Sequence, residues 1–71
     1  MKYNKNYIAG LKRIYPVGTR IKLIHMEDIQ AVPDGTMGTV RGIDDVANIL
    51  MKWDNGSTLN LVPTLDSFEK I

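Results

Sequence analysis

The segment of residues 36–63 constrains the fold more than any other part of this 71-residue chain. It has the pattern of three short strands joined by two turns. Asn55-Gly56 lies between an apolar strand that ends at Trp53 and a second strand over residues 57–61. An Asn-Gly pair favours a two-residue type I′ turn, in which both central residues have positive φ. The segment therefore predicts an antiparallel meander on which the remaining residues pack.

Five short stretches of the chain have the pattern of strands, with glycines at the bends beside them. They are residues 19–26, 38–43, 49–53, 57–61 and 68–71. Pro63 ends the fourth stretch, and the last one can return beside the first. Short strands with glycine-marked bends are typical of a small closed barrel. We therefore expect a mainly β fold, a five-stranded barrel with a short N-terminal helix.

Alternation of apolar and polar side chains predicts which residues of the strands form the core. The inward-facing residues are Ile21, Leu23, Met26, Val40, Ile49, Met51, Trp53, Leu59 and Leu61. Ile24 breaks the alternation, and a bulge at Ile24 or His25 would return Met26 to the core. Trp53 follows the alternation, so we expect a buried ring rather than an exposed one.

Residues 27–36 form the longest irregular stretch of the chain, a polar loop closed by the Pro-Asp-Gly turn at 33–35. We expect Ile29, Ala31 and Val32 to pin the middle of this loop to the core. Long loops on small barrels often carry binding residues.

The N-terminal segment predicts a helix over residues 4–15. Its apolar stripe consists of Tyr7, Ile8, Leu11, Ile14 and Tyr15. Asn4 is a suitable N-cap, and Pro16 makes continuation of the helix unfavourable. A helix this short is marginal alone, so it must dock on the barrel or on a partner. We divide the chain into a helical arm (1–14) and a barrel (15–71).

The composition excludes several classes of protein. Because the chain has no cysteine, it has neither a disulfide framework nor a thiolate metal site, which fits a reducing, cytoplasmic setting. No apolar run is long enough to span a membrane, and the N-terminus lacks the apolar stretch of a signal peptide.

The net charge of +1 conceals a division along the chain. Residues 1–25 contain six Lys or Arg and no acid, whereas residues 26–71 contain three Lys or Arg and eight acids. Such a distribution can steer a charged partner. Alternatively, the two halves complement each other within the fold or across a dimer.

The acidic residues at turns are the main candidates for a metal site. They are Asp28, Asp34, Asp44, Asp45 and Asp54. Their spacing is not that of an EF-hand loop, and Asp at a turn is explained by its own backbone hydrogen bonds. His25 is the only histidine, with no evident second ligand or nucleophile. We therefore expect no metal, no cofactor, no catalytic residue and no enzyme activity.

A set of motifs extends over residues 15–71. It consists of Tyr15-Pro16-x-Gly18-Thr19-Arg20, Met26, Asp28, Gly35-Thr36-x-Gly38-Thr39-Val40-x-Gly42-Ile43-Asp44-Asp45, Trp53-Asp54-Asn55-Gly56-Ser57 and Asp66-x-Phe68. In these motifs the chain resembles a family of small domains from bacteria and mobile elements, catalogued as a domain of unknown function (DUF4314-like). The resemblance implies an SH3-like barrel. It carries over no catalytic or binding residue.

We expect a non-enzymatic binding module whose loops and N-terminal helix contact a protein. The candidate binding residues are Lys5, Lys12, Arg13, Arg20, Lys22, Asp44 and Asp45. One alternative is a nucleic-acid-binding module, since the basic N-terminal third also contains Tyr3, Tyr7 and Tyr15 as stacking rings. Another is a small inhibitor whose acidic face imitates nucleic acid on a host enzyme. A weak homodimer is a further expected association, and a membrane is not an expected partner.

Overall fold

The chain forms a helix and a four-stranded antiparallel sheet in the computed structural model, which describes residues 4–71. The elements are α1 (Lys5–Ile14), β1 (Arg20–His25), β2 (Met37–Ile43), β3 (Ile49–Trp53) and β4 (Ser67–Lys70). The prediction of a mainly β fold with a short N-terminal helix is confirmed. Residues 1–3, which begin the predicted arm and include Tyr3, lie outside the described residues.

The strand order β3-β2-β1-β4 makes β1 a central strand of the sheet. It pairs with β2 on one side and with β4 on the other, where Leu23 lies opposite Phe68. The last strand therefore returns beside the first, as the sequence predicted. β3 pairs with the far side of β2, and Val40 lies opposite Met51.

The closed five-stranded barrel that we expected is not formed within the described residues. The sheet is open, with β3 and β4 at its edges. Residues 57–61, the predicted fourth strand, form a single isolated bridge with β3, between Leu61 and Ile49, in addition to a loop hydrogen bond from the amide of Trp53 to the carbonyl of Ser57.

Side-chain hydrogen bonds explain why residues 57–61 do not form a strand. The carbonyl oxygen of Leu59 accepts a hydrogen bond of 2.8 Å from Nε1 of Trp53. The amide of Leu59 donates to Oγ of Ser57 at 3.1 Å. Because the amide and the carbonyl of Leu59 are both hydrogen-bonded to side chains, they do not form backbone hydrogen bonds with β3.

The core lies on the inner face of the sheet. Its buried residues are Ile21, Leu23, Met26, Val32, Val40, Ile49, Met51, Trp53 and Leu61. Every predicted inward-facing residue belongs to this cluster except Leu59, which is partly buried against it. Trp53 is 1% exposed, so its predicted burial is confirmed. Burying one large apolar side chain contributes about 1.5 to 3 kcal/mol, so this cluster is the main source of stability.

The predicted bulge in β1 is confirmed. The register of β1 against β4 shifts between Leu23 and His25, and Met26 is buried. Val32 is also buried, and its amide donates to Sδ of Met26 at 3.4 Å. The loop that follows β1 is therefore pinned to the core by Val32, as predicted.

The prediction that Ile29 also pins this loop is wrong, because Ile29 is fully exposed. A local turn places it outward. The carboxylate of Asp28 accepts a hydrogen bond of 2.7 Å from the amide of Gln30, and the carbonyl of Asp28 accepts one from the amide of Ala31. The apex of this turn projects Ile29 away from the core.

The loop at residues 53–57 is not the predicted type I′ turn. The amide of Gly56 donates to the carbonyl of Trp53, and the amide of Trp53 donates to the carbonyl of Ser57. Gly56 has a φ of 94°, as predicted, but the φ of Asn55 is not positive. This pattern belongs to the longer hairpin loop that requires one left-handed residue instead of two.

The loop that joins β2 to β3 repeats the same hydrogen bonds. The amide of Ala47 donates to the carbonyl of Asp44, and the amide of Asp44 donates to the carbonyl of Asn48. Ala47 occupies the position in this loop that Gly56 occupies in the loop at residues 53–57, and it has a φ of 61°. The turn predicted from Asp44 to Asn48 is therefore confirmed, with an alanine in the left-handed position.

Two copies of a Pro-x-Gly-Thr turn precede β1 and β2, at residues 16–19 and 33–36. In each copy, the amide and the hydroxyl of the Thr donate to the carbonyl of the Pro, and the Gly has positive φ. The Gly amide of each turn donates to the strand that the other turn precedes, at Val40 in β2 and at Leu23 in β1. The two turns therefore fasten the two central strands together.

The helix packs on its own sheet. It contacts β2, and Leu11 is its buried residue. Oδ1 of Asn4 accepts from the amide of Asn6 at 2.6 Å, which confirms the predicted N-cap. At the other end, the ammonium of Lys70 in β4 donates to the carbonyl of Ile14 at 3.0 Å, a favourable place for a cation.

Candidate functional site

A groove of 330 Å³ lies between the end of α1, the first Pro-x-Gly-Thr turn and the end of β2. Its lining residues are Lys12, Tyr15, Pro16, Val17, Gly42 and Ile43. We call it the helix groove. It combines an apolar lining with one charged side chain, which is the usual character of a binding site.

Exposed apolar side chains occur in the lining of the helix groove and directly before it in the chain. Val17 is 74% exposed, and Ile14 at the end of α1 is 53% exposed. The turn that carries Val17 is well ordered, because Thr19 donates to the carbonyl of Pro16 through its amide at 3.0 Å and through its hydroxyl at 2.6 Å. The hydrogen-bonded turn therefore keeps the Val17 side chain exposed to solvent.

The floor of the helix groove is continuous with the edge of the core. The ring of Tyr15 packs against that of Phe68, with 5.6 Å between the centroids. This contact joins the end of the helix to the sheet. Ile43 is half-buried and lies opposite Ile49 in β3. The floor is therefore preformed.

Of the three candidate binding cations on α1, one lines the helix groove. Lys12 lines it, and Lys5 lies seven residues earlier on the same side of α1. Both side chains are exposed, and neither makes an ion pair within residues 4–71. Arg13 is also exposed but points about 100° away around the helix.

Arg20 and Lys22 lie elsewhere, on the outer face of β1. The guanidinium of Arg20 binds the carboxylate of Asp54 through two hydrogen bonds of 2.9 and 2.6 Å, and it also donates to Oγ1 of Thr39. This ion pair lowers the pKa of Asp54 and raises that of Arg20, chiefly through the hydrogen bonds. Lys22 is exposed and neighbours Glu69 of β4. The structure does not bring these two cations to the groove.

Asp44 and Asp45 begin the loop that follows Ile43, a lining residue of the groove. The carboxylate of Asp44 accepts hydrogen bonds from the amides of Val46 and Asn48, at 3.1 and 2.8 Å. Asp44 therefore shapes the turn, whereas Asp45 is exposed beside it.

A second, more open hollow of 520 Å³ lies at the loop that follows β1. It is lined by His25, Met26, Glu27, Asp28, Ile29 and Ala31. Nδ1 of His25 lies 3.0 Å from Oδ1 of Asp34, and Nε2 lies 3.4 Å from Oε1 of Glu27. The hydrogen bond and charge of Asp34, and to a lesser extent Glu27, raise the pKa of His25.

Two further findings concern the described part of the chain. No three side chains of His, Asp or Glu there are placed to hold one metal ion. No helix there is long and apolar enough to cross a membrane.

Four lining residues of the groove were not predicted from the sequence as part of a site: Pro16, Val17, Gly42 and Ile43. A signal for the first two was present, because Pro-x-Gly-Thr occurs twice, seventeen residues apart. The residue before the Gly of such a turn stands at an outer corner. An apolar residue there, such as Val17, indicates an exposed contact point.

Comparisons with known proteins give one match. A family model described as "Domain of unknown function (DUF4314)" matches residues 4–71. No curated protein and no solved structure matches the chain.

Proposed function

The chain belongs to this family of domains of unknown function, and we propose that it is a non-enzymatic binding module that captures another protein in the helix groove. The helix and a loop form walls of this groove, which supports a module that binds through these elements. The observation that carries the proposal is Val17, an apolar side chain held in water at the mouth of an apolar groove.

The size of the helix groove favours an anchoring side chain of a protein over a large ligand. Its 330 Å³ is near the lower end of the roughly 300 to 1,000 Å³ of small-molecule sites. One apolar side chain seated there would also cover Val17. Fully burying a side chain of this size contributes about 1.5 to 3 kcal/mol, and such anchors dominate many protein interfaces.

Charge at the rim suggests which residues flank that anchor. Lys12 lines the groove and Lys5 follows the same side of α1, without ion-pair partners among the described residues. An Asp or Glu next to the anchor would meet these cations. Exposed ion pairs contribute only about 0.2 to 1 kcal/mol each. We therefore propose that these pairs mainly select the partner and speed its association.

Nucleic acid is the weaker candidate partner. Arg20, one of the predicted cations, is already bound to Asp54. The ring of Tyr15 is packed on Phe68, which removes one of the expected stacking rings. The acidic-inhibitor alternative has less support still, since Asp54 is itself neutralised by Arg20.

A peptide-display selection tests the proposal. A library of random peptides is selected on the immobilised protein and counter-selected on a Val17→Asp variant, which places a charge at the mouth of the groove. We expect enriched peptides to share an apolar residue next to Asp or Glu. Their affinity should fall about tenfold or more in Val17→Asp, as expected when an apolar contact of more than 1 kcal/mol is lost.

Leu65→Asp is the matched control, because Leu65 is 66% exposed and lies outside the groove lining. It makes the same change in charge at a distant apolar site and should leave peptide affinity unchanged. Peptides that bind Val17→Asp as well as the wild-type protein would refute the proposal. Tight binding of random DNA or RNA oligonucleotides, lost on changing Lys5 and Lys12 to Gln, would favour the nucleic-acid function instead.

The proposal retains the SH3-like scaffold and the cytoplasmic, bacterial setting that the resemblance and the lack of cysteine imply. Return of β4 beside β1 and the bridge from Leu61 to Ile49 support a sheet that bends toward closure. An experimental structure in which Leu61 does not bridge to Ile49, or β4 does not return beside β1, would reject the SH3-like scaffold.

A further inference from the structure

The helix groove and the acidic loop, residues 26–34, lie at opposite ends of the two central strands. The turn that contributes Val17 precedes β1, and the acidic loop follows it. Ile43, at the end of the antiparallel β2, belongs to the groove end as well. A strand of six residues spans about 20 Å, so the two surfaces are well separated on one molecule.

The acidic loop presents one fully exposed apolar side chain next to two acids. Ile29 is fully exposed and follows Glu27 and Asp28 directly. Its position is defined, because the amides of Gln30 and Ala31 both donate to Asp28. An ordered turn therefore offers an apolar tip with two carboxylates beside it.

The two surfaces carry opposite charges, and each has an exposed apolar side chain. The helix groove is a concave, apolar site with Lys12 in its wall. Ile29 is fully exposed at the apex of its turn, on the wall of the second hollow, and Glu27 and Asp28 precede it directly. Within residues 4–71, Asp28 makes no ion pair, and Glu27 pairs only with His25, at 3.4 Å.

We propose that the occupant of the helix groove is the acidic loop of a second copy of this chain. Ile29 of one copy enters the groove of the other beside Val17, and Glu27 or Asp28 meets Lys12. This inference rests on the proposed function, since it uses the same groove, and it names the partner. The contact joins two different surfaces and is therefore heterologous.

Two variants separate the surfaces. Ile29→Asp disables the loop and leaves the groove intact, whereas Val17→Asp disables the groove and leaves the loop intact. Both side chains are exposed, so neither change alters the core. Sedimentation velocity is measured for the wild-type protein, for each variant alone and for an equimolar mixture of the two.

The wild-type protein should exceed its monomer mass of 8.0 kDa increasingly with concentration. Each variant alone should remain monomeric at the concentrations where the wild type associates. The mixture should form a dimer, because the intact loop of Val17→Asp can enter the intact groove of Ile29→Asp. Raising the salt concentration from about 0.05 to about 0.5 M should weaken the association, since exposed charge pairs are screened.

A wild-type protein that stays monomeric at all concentrations, or variants that associate as well as the wild type, would overturn the inference. A mixture that stays monomeric would do the same, provided that Trp53 fluorescence shows both variants to be folded.

The two proposals fail separately. If display peptides bind through the groove while the wild-type protein remains monomeric, the groove has another protein as its partner and only the self-association is wrong. If the mixture dimerises but no display peptide depends on Val17, the self-association stands and capture of other proteins is wrong.

Discussion

Gly38 and Trp53 lie opposite each other in β2 and β3, and the indole ring occupies the space that a side chain on residue 38 would need. A Cβ atom on Gly38 would lie 2.7 Å from Cε3 of Trp53 and 3.0 Å from the backbone oxygen of Lys52. The ring cannot move away freely, because its Nε1 is bonded to the carbonyl of Leu59. The core therefore requires a glycine at this position.

Gly38→Ala should lower the free energy of unfolding by about 1 to 3 kcal/mol, the usual cost of overpacking. Chemical denaturation measures the change. Gly10→Ala is the control, because a Cβ there meets no atom within 4 Å. Within a helix this change should raise stability, by up to about 1 kcal/mol. Shifts of the same sign in both variants would contradict the packing described.

Trp53→Ala should cost about 3 to 5 kcal/mol, because it leaves a cavity in the centre of the core. Such a loss exceeds the stability margin of many domains of this size. Trp53→Phe retains most of the apolar area but deletes the donor to Leu59, and should cost less. Native Trp53 fluorescence should be blue-shifted. Emission at the wavelength of exposed tryptophan before denaturation would disprove its burial.

Gly56→Ala should destabilise the fold by about 1 to 2 kcal/mol, because an L side chain disfavours the left-handed φ of this loop. Asn55→Ala should cost less, since it removes only the hydrogen bond from the amide of Ser57. Gly42→Ala is the control. Its φ is not positive, and a Cβ there would be in ordinary contact with Leu50 at 3.7 Å. An unchanged denaturation midpoint for Gly56→Ala would refute the loop geometry.

The protein should lose thermal stability as the pH rises past the range in which His25 titrates. Asp34, and more weakly Glu27, raise the pKa of His25 above its ordinary 6.5 in the folded state. The stabilisation is therefore complete below 6.5 and is lost as the pH rises through the higher folded value.

The ring resonances of His25, the only histidine, report its titration directly by NMR. Asp34→Asn should lower the measured pKa and flatten the dependence of Tm on pH between about 6 and 8. Asp45→Asn, a change at an exposed acid far from His25 in the chain, should leave both unchanged. A His25 pKa at or below 6.5 in the wild type would contradict this prediction.

Any affinity for DNA should be weak and should not depend on the helix cations. Changing Lys5, Lys12 and Arg13 together to Gln tests this, because each phosphate contact with duplex DNA contributes about −0.9 to the log-log salt slope. If the cations did bind DNA, the triple change would flatten the slope by roughly 2 to 3. Fluorescence anisotropy of labelled DNA across a salt series measures it. Tight binding of DNA, with that loss of slope in the triple variant, would favour nucleic-acid binding over protein binding as the function.

Features that depend on residues close together in the chain could be predicted from sequence. Alternation along β3 identified its buried face, and the break at Ile24 located the bulge. Asn4 identified the start of the helix, and Gly56 the left-handed position of the hairpin loop. In each case the physical cause, a side-chain period or a φ preference, acts within a few residues.

Features that depend on competition between distant groups were decided by the tertiary structure. The sequence pattern places Leu59 in a strand, but its carbonyl accepts a hydrogen bond from the indole of Trp53. The fourth strand of the expected barrel is therefore replaced by an irregular segment. The charge pattern made Arg20 a candidate binding residue, but it forms an ion pair with Asp54, 34 residues further along the chain.

The helix groove is also a product of tertiary packing. Tyr15 and Val17 are adjacent to the helix in sequence, whereas Ile43 comes from the far end of another strand. Hydrophobic pattern alone predicts which side chains prefer burial, but not which of them remain uncovered once the core is full. For Val17 and Ile29, hydrogen-bonded turns decide the outcome by holding apolar side chains outward.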